Sequence, residues 1–553
     1  MKMLYDEAKR TGGRLPQYLL LLGDGSYDNR KILSTSAQGM LLTYQAKASV
    51  NEIEAYATDD YFGFLADESG NYDTTDSMYI AVGRLPINTQ EEADNVVNKI
   101  ISYIDNNNQG QWRQQVCFLA DDGDSGLHTR CADSSAEIVR KNNPDFIVNK
   151  IYIDAYRQEQ NAAGESYPLA KTQLSELLKN GLLFFDYSGH ASYNNICNEQ
   201  MLTASEITQM NNANQGFWML ATCDFAQFDA LRQSAAESAL LNPQGGAIGL
   251  LASCRTVYAE KNRILNDYFC EALFAHDTVY NYLHTIGKAA QQAKNKYCTI
   301  NKDRNKLPYM LLGDPALKLH FPADYGVRLV HDLDTLNAVS RHTMQGQVVS
   351  HNGQPQNNFN GLAYITIYDK LQTVKTLDND QANIAKKHTD SYYDYSSKIF
   401  TGSAYINNGL FNIEFMVPKD IKYNYGEGRV VFYALENNTK EEAIGHNTDF
   451  IIGGSGNSQV NDSEGPEIRA YLNNPQFRSG DKTHENPRFY ARIQDLNGIN
   501  TIGNGIGHDL LLIVDDDMMQ TYSLNNYYVS DIGQFQTGEV TFPMPTQQEG
   551  WHT

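Results

Sequence analysis

Short apolar runs recur along the first 320 residues, and longer segments with helical spacing of apolar positions separate them. The runs are continuous rather than alternating, which is typical of strands that are buried on both faces. Segments such as 89–104 predict amphipathic helices, with Thr89 and Glu92 in a capping-box pattern. This alternation predicts an α/β domain with a mainly parallel sheet and helices on both faces. We expect its strands at 18–23, 78–83, 115–121, 146–153, 182–187, 217–222 and 247–252.

The pattern changes near residue 321. Helical periodicity fades, and alternating apolar and polar positions appear in 361–369, 409–418 and 428–436, with Gly, Asn, Asp and Pro turns between them. Such runs are typical of antiparallel β-sandwich modules. We therefore expect an α/β domain over 1–320, an immunoglobulin-like β-sandwich module over 321–455 and a second β-rich module over 456–553. The last residues predict no closing strand, so we expect the second module to be truncated.

Charge and hydropathy argue against a nucleic acid partner and against a membrane-spanning segment. The formal net charge is −22, from 66 acidic and 44 basic side chains, and such a chain repels a phosphate backbone. We therefore expect no nucleic acid partner. No apolar run reaches 18 residues, so we expect no membrane-spanning segment. The first residues lack the apolar core of a signal peptide, so any such signal would have to lie upstream.

Two of the predicted strands run directly into a reactive side chain. "LLFFDYSGH" ends in His190, and "GFWMLATC" ends in Cys223. Since adjacent parallel strands present their carboxyl ends at one edge of a sheet, His190 and Cys223 could face each other across a cleft. An imidazole in that position can take the proton of a thiol whose ordinary pKa is about 8.5. The turns after both strands could aim backbone N–H groups into the cleft as an oxyanion hole.

Other interpretations of these two residues stay open at this point. The seven cysteines lack the spacing of a disulfide framework or a zinc ribbon, which leaves room for one functional thiol among several core residues. A buried structural Cys223 and an unrelated loop His190 would produce the same pattern. A metal site formed by His190, Cys223 and Asp122 is a further alternative, although no two of these share a short spacing.

Several longer stretches make the chain similar to a known family. It resembles the caspase-like cysteine peptidases, and the gingipain family within them, in "LLLLGDGSYD" (19–28), "ATDDYFGFL" (57–65), "IAVGRLPINTQEEADNVVNKI" (80–100), "DYSGHAS" (186–192), "ATCDFAQFD" (221–229), "NPQGGAIGLLASCRTVYAEKN" (242–262) and "LLGDPALKL" (311–319). Transferred by position, the resemblance implies His190 as the catalytic histidine and Cys223 as the nucleophile. It implies the backbone N–H groups of Ala191 and Cys223 as oxyanion donors. Relatives usually have Gly where this chain has Ala191, and a left-handed φ there would cost about 1–2 kcal/mol.

The resemblance also implies a third catalytic residue. Some family members orient the histidine with an acidic residue on a neighbouring strand end, and "FLADDGD" (118–124) supplies that strand end. We choose Asp122 over Asp121 for the role of fixing the imidazole tautomer and stabilising the imidazolium. His128, shortly after this loop, is expected to be a solvated or helix-capping residue.

Stretches farther along the chain point to a specialised branch of the family. "FNGLAYITIYDK" (359–370), "VPKDIKYNYGEGRVVFYA" (417–434) and "LNGINTIGNGIGHDLLLIVDDD" (496–517) resemble the cell-surface sortases of the type IX secretion system of Bacteroidetes. This implies cleavage of the C-terminal sorting domain of secreted proteins and their transfer to lipopolysaccharide at the outer membrane, together with other type IX secretion components. The alternatives are a plain gingipain-type secreted endopeptidase and a non-catalytic surface scaffold.

We expect no required cofactor. Asp59, Asp60 and the acidic stretch 67–76 could bind calcium as a structural ion, since hard cations prefer clustered carboxylate and carbonyl oxygens.

Overall fold

The chain forms two compact units in a computed structural model, which describes residues 1–33, 41–48, 50–51, 53–70, 74–105, 108–161, 164–277, 281–379, 389–456, 464–502, 509–517 and 520–553. The first unit comprises Met1–Asn108, Trp112–Phe321 and Lys375–Asp390. The second comprises Gln109–Gln111, Pro322–Val374 and Ser391–Thr553. The predicted division near residue 456 stays a prediction.

The first unit contains eight described helices and fourteen described strands. The helices are α1 (Lys2–Thr11), α2 (Gln90–Ile104), α3 (Leu127–Asn142), α4 (Pro168–Asn180), α5 (Ala204–Thr208), α6 (Ala235–Leu241), α7 (Ala259–Leu273) and α8 (Ile286–Ile300). The strands are β1 (Tyr18–Leu22), β2 (Tyr44–Gln45), β3 (Ala57–Thr58), β4 (Ala81–Leu85), β5 (Gln115–Ala120), β6 (Ile147–Tyr152), β7 (Glu159–Asn161), β8 (Gly164–Ser166), β9 (Phe184–Ser188), β10 (Asn195–Ile196), β11 (Leu202–Thr203), β12 (Phe217–Ala221), β13 (Gly249–Ser253) and β14 (Tyr309–Leu312).

An eight-stranded sheet organises the first unit, in the order β1-β4-β14-β13-β12-β9-β5-β6. All seven predicted strands are present in it. The eighth, β14, pairs in parallel with β4 and antiparallel with β13. The sheet is therefore mainly parallel, as predicted, but β1, β4 and β14 run opposite to the other five strands. The carboxyl ends of β9 and β12 lie at one edge, and the carboxyl end of β1 lies at the opposite edge.

The centre of this sheet is its most buried part. Every residue of β9 and β12 is buried, which explains why these strands are continuous apolar runs. The helices pack in two groups, α3 with α7 and α8, and α6 with α2 and α5. The predicted capping box at the start of α2 is confirmed, since Thr89 accepts from the backbone of Glu92 and Glu92 accepts from the backbone of Thr89. The predicted fold class of this unit is confirmed.

The second unit consists of β-sheets. Its strands are β15 (Tyr325–Leu329), β16 (Leu336–Ala338), β17 (Ser340–Val349), β18 (Gly361–Tyr368), β19 (Gln372–Lys375), β20 (Ser391–Asp394), β21 (Lys398–Ile406), β22 (Leu410–Val417), β23 (Gly426–Glu427), β24 (Arg429–Glu436), β25 (Glu442–Asn447), β26 (Ile451–Ser455), β27 (Glu467–Leu472), β28 (Arg488–Gln494), β29 (Leu511–Ile513), β30 (Thr521–Ser523), β31 (Tyr528–Ser530) and β32 (Thr537–Pro543). A seven-stranded sheet, β21-β18-β24-β25-β15-β17-β22, and a three-stranded sheet, β16-β26-β23, enclose one apolar core. A four-stranded sheet, β27-β28-β32-β31, follows.

One segment from the later part of the chain belongs to the first unit. Between β19 and β20, the backbone N–H groups of Asp378 and Asn379 donate to the carboxylate of Asp154, at 3.1 and 2.9 Å. At the other end of the segment, Arg130 Nη1 donates to Asp390 Oδ2 at 2.7 Å. The described ends of the segment, residues 375–379 and 389–390, therefore lie against the loop after β6 and the first turns of α3.

No helix in the described part of the chain is both long enough and apolar enough to cross a bilayer.

Candidate active site

The pairing of β9 with β12 places the two predicted reactive residues at the same level. The strands are parallel, and Ser188 is the partner of Ala221 in the register. His190 and Cys223 each follow two residues after that pair, so both leave the sheet at the same edge from adjacent strands. The fold therefore places the two strand ends side by side at one edge of the sheet, and the pairing of His190 with Cys223 across a cleft stays a prediction.

Cys223 is the most accessible cysteine. All seven cysteines lie in described ranges; six are buried, and Cys223 is half-buried. Its Sγ accepts from the backbone N–H of Val257 at 3.4 Å and lies 3.5 Å from the carbonyl oxygen of the same residue. Burial raises the pKa of Cys223, while the Val257 N–H and Arg304 act in the opposite direction. The thiol of Cys223 is therefore protonated at pH 7, and its role as a nucleophile stays a prediction.

His190 is the histidine that follows β9 at this edge of the sheet. Its ring is about half exposed, and its Nε2 lies 3.4 Å from Asp124 Oδ2. The ring of His128 stands edge-on to it, with the centroids 4.9 Å apart. His128 is buried, so the expectation of a solvated residue is wrong. It lies in the first turn of α3, on the buried face of that helix, next to the ring of His190.

The turn that carries His190 is fixed by its backbone and by its glycine. The backbone N–H of His190 donates to Asp121 Oδ2 at 2.9 Å, and Tyr187 Oη donates to the carbonyl of His190 at 2.6 Å. A Cβ on Gly189 would lie 2.2 Å from Tyr187 Oη and 2.6 Å from Asp121 Cβ. Only glycine therefore allows the chain to pass this close to both side chains.

Asp122 lies near the site but faces other partners. Its Oδ2 accepts from Tyr167 Oη, and its carboxyl is hydrogen-bonded to that of Asp121. Burial raises the pKa of Asp122 to about 9, and the Asp121 carboxyl adds to the rise. Burial also acts to raise the pKa of Asp121, but hydrogen bonds from Asp122 and from the backbone of His190 outweigh it and lower that pKa.

The orienting role of Asp122 stays a prediction. A neutral carboxyl supplies no charge to an imidazolium, and the carboxylate that the structure places beside the His190 ring is that of Asp124. Sequence analysis did not single out Asp124. The spacing of Asp124 and His128, four residues apart at the start of a helix, is the pattern that could have pointed to it.

The backbone at Ala191 suits an oxyanion donor. Ala191 is bridged to Ile196, and the hydrogen bonds of this bridge are made by the flanking residues, from Cys197 N to His190 O and from Ser192 N to Asn195 O, both 2.9 Å. In such a pair the N–H of the central residue points away from its partner strand. Its φ is not in the left-handed region, so the strain considered for Ala191 does not arise.

The acidic residues considered for calcium are paired with cations of the protein. Asp59 accepts from Arg84 through both carboxylate oxygens, at 2.6 and 2.7 Å, and Asp60 accepts from Lys294 at 2.6 Å. Part of the acidic stretch 67–76, residues 71–73, lies outside the described residues. Calcium binding stays a prediction.

Comparison with known proteins finds one family model that matches the first unit's main segment. The model of peptidase family C25 matches residues 1–320. No curated protein matches the chain significantly.

Among solved structures, the chain is similar to dimeric latent PorU from Porphyromonas gingivalis, with 25% identity, a TM-score of 0.32, and coverage of 100% of this chain and 47% of that chain. It thus spans about half the length of that structure. It is also similar to the Arg-specific cysteine proteinase gingipain R, with 14% identity, a TM-score of 0.45, and coverage of 82% of this chain and 87% of that chain. The complex of the RgpB pro- and mature domains from Porphyromonas gingivalis gives 13% identity, a TM-score of 0.42, and coverage of 82% and 89%.

Proposed function

The chain belongs to peptidase family C25 and is a cysteine peptidase, and we propose that Cys223 is its nucleophile and His190 its general base. The observation that carries this assignment is the register of β9 with β12, in which both residues leave the sheet two positions after the Ser188–Ala221 pair. Of the cysteines, only Cys223 combines this position with access to solvent.

The reaction begins with proton transfer from the thiol to His190. The thiolate of Cys223 attacks the scissile carbonyl carbon, and the N–H groups of Ala191 and Cys223 stabilise the oxyanion. His190 then gives its proton to the leaving amine as the C–N bond breaks, which leaves a thioester on Cys223. An incoming water or amine loses a proton to His190, attacks the thioester and releases the thiol.

We further propose that the acceptor in the last step is an amine as well as water, so that the protein acts as a transpeptidase. The support is the resemblance of residues 359–370, 417–434 and 496–517 to the type IX secretion sortases. On this proposal the substrates are secreted proteins with a C-terminal sorting domain, the acceptor is lipopolysaccharide, and the protein works at the cell surface beside other type IX secretion components.

Incubation of the protein with a cargo sorting domain and an amine acceptor tests both levels of the proposal. Mass spectrometry should find cargo that has lost its C-terminal domain and gained the amine. Cys223→Ala should abolish both products, whereas Cys254→Ala, which changes a buried cysteine on the next strand end, should keep them. If the cargo is cleaved but never conjugated to the amine, the transpeptidase proposal fails and the protein is a plain endopeptidase. Full turnover by Cys223→Ala would contradict the assigned nucleophile.

A further inference from the structure

Three side chains that can ligate a metal converge beside the catalytic edge. The atoms that Asp124, His128 and His190 can offer as ligands all lie within 4.8 Å of one another. His128 Nε2 is 3.3 Å from Asp124 Oδ2, and His190 Nε2 is 3.4 Å from the same oxygen. Two imidazole nitrogens thus face one carboxylate oxygen at nearly equal distances.

A tight turn brings these residues together. Asp124, Ser125 and Gly126 have φ values of 55°, 55° and 73°, and α3 begins immediately after them. The turn directs Asp124 back toward His128 in the first turn of α3. The loop that follows β9 supplies His190 from the other side, so the three ligands come from two separate parts of the fold.

The contacts of His128 are unusual for a buried histidine. Its side chain is 3% exposed, and its Nε2 has no hydrogen-bond partner among the residues that the structure describes. The separation of His128 Nε2 from Asp124 Oδ2 is 3.3 Å. A charge-assisted hydrogen bond is shorter, about 2.7–2.9 Å. A long contact rather than a well-formed hydrogen bond therefore joins the buried Nε2 of His128 to the carboxylate of Asp124.

The two distances match the spacing of ligands around a tetrahedral zinc ion. Zinc lies about 2.0–2.2 Å from imidazole nitrogen and carboxylate oxygen, and two ligands of a tetrahedron are about 1.63 bond lengths apart, or roughly 3.3–3.6 Å. The observed 3.3 and 3.4 Å fall in this range. Two imidazoles and one carboxylate with an open fourth position form a ligand set that suits zinc.

We propose that Asp124, His128 and His190 bind one zinc-like divalent transition metal ion, and that this ion switches the peptidase off. A neutral imidazole has one nitrogen with an available lone pair. When the metal takes that nitrogen of His190, the other nitrogen keeps its proton, and the ring cannot accept the proton of Cys223. Binding of the metal stands on the geometry alone, whereas its inhibitory effect rests on the proposed function.

Titration with cobalt(II) and zinc(II) tests the binding of the metal. The full chain should bind one ion, with the visible absorption of tetrahedral cobalt, which zinc then displaces. His128→Gln and Asp124→Asn should each weaken binding by about tenfold or more. His276→Gln, which changes a half-buried histidine elsewhere, and Cys197→Ser should bind like the original chain. Equal binding by all variants, or no saturable binding by the original chain, would overturn the proposal.

Because His128 is buried, a thermal melt should accompany each titration. Asp124, which is about half exposed, provides the variant that does not disturb the core. If both variants fold and both bind the ion as tightly as the original chain, the site is refuted.

Alkylation by iodoacetamide tests the effect of the metal on the thiol without a substrate. Zinc should slow the labelling of Cys223 in the original chain and leave it unchanged in His128→Gln at the same zinc concentration. If zinc slows the labelling of Cys223 equally in both proteins, zinc binds the thiol directly. That result would contradict the proposal that the metal inhibits the peptidase through His190. An inactive peptidase that still binds one ion would refute the proposed function and keep the metal site.

Discussion

The thiol of Cys223 is buried enough to stay protonated and exposed enough to react. Since burial raises its pKa, we predict that alkylation by iodoacetamide is slow at pH 7 and accelerates as the pH rises past the ordinary thiol pKa of about 8.5. Peptide mapping by mass spectrometry should place the label on Cys223 ahead of the six buried cysteines. Equally fast labelling of Cys254 or Cys197 would contradict this prediction.

The two candidate acidic residues can be separated by a matched pair of substitutions. Asp124 lies beside the ring of His190, so Asp124→Asn should lower kcat by about tenfold or more while KM changes little, and Asp124→Glu should recover part of the loss. Asp122 faces Tyr167, and Asp122→Asn preserves the shape of its carboxyl, so most activity should remain. Steady-state hydrolysis of a cargo domain measures both. A larger loss in Asp122→Asn would restore the orienting role predicted for that residue.

At this scale, the sequence allows the position of a residue to be predicted where that residue follows a strand directly. His190 and Cys223 could be found because each ends an apolar run, and the runs are adjacent in the sheet. Asp124 could not be found in that way. Its place beside His190 depends on a turn with left-handed backbone, which the distribution of apolar residues does not encode.

Among the elements, α6 is fastened at its carboxyl end by a lysine from α2. The Nζ of buried Lys99 donates to the carbonyl oxygens of Leu240, Asn242 and Gly245, at 2.9, 3.0 and 2.8 Å. These include carbonyls that the end of a helix leaves without an internal partner. The lysine thus caps α6 and connects it to α2.

Lys99→Met should therefore destabilise the first unit. The substitution removes a buried donor and leaves several carbonyl oxygens without a hydrogen bond, at a cost of about 3 kcal/mol. Urea unfolding followed by circular dichroism measures the change. Lys141→Met, which changes an exposed lysine on α3, should alter the free energy of unfolding by no more than about 0.5 kcal/mol. Similar values for the two variants would show that the cap contributes little.

The strands were predictable as elements, but the reversal of direction within the sheet was not. Continuous apolar runs gave all seven predicted strands of the large sheet to within a few residues. A continuous apolar run does not indicate the direction of its strand, since such a run is equally buried in a parallel and an antiparallel pair. The reversal between β13 and β14 follows from the path of the chain through α7 and α8.

For the stability of the whole molecule, the buried acid Asp186 gives the clearest pH dependence. Burial raises its pKa well above the ordinary value, and Asn266 is the partner of only one of its oxygens, at 3.0 Å. The folded chain therefore holds a proton that the unfolded chain releases above about pH 4, and stability falls as the pH rises from there.

Asp186→Asn should remove that dependence. The variant should be more stable than the original chain at pH 7, on the order of 1 kcal/mol or more, with a difference that shrinks toward pH 4. Thermal melts across this range measure it, with Glu91→Gln as a control for the loss of one surface charge. A difference that grows toward low pH would contradict the assigned shift.

The large-scale division of the chain was partly predictable. The change in periodicity near residue 321 coincides with the end of the first unit's main segment at Phe321. The return of Lys375–Asp390 to the first unit was not predictable, because it depends on the Asp154 carboxylate meeting backbone N–H groups more than 200 residues later. Such contacts leave no periodic pattern in the sequence.

The position of β14 imposes an order of events on folding. Two halves of the sheet meet only through this strand, whose partners are β4 and β13. Until residues 309–312 have been synthesised, both partners expose an unpaired edge, and such edges recruit other chains. A chain cut before residue 309 should therefore aggregate, as light scattering would detect, while one that includes β14 closes its sheet and remains monodisperse. Because β14 is the last strand of the sheet to be synthesised, the sheet cannot be completed until nearly the whole first unit has been made.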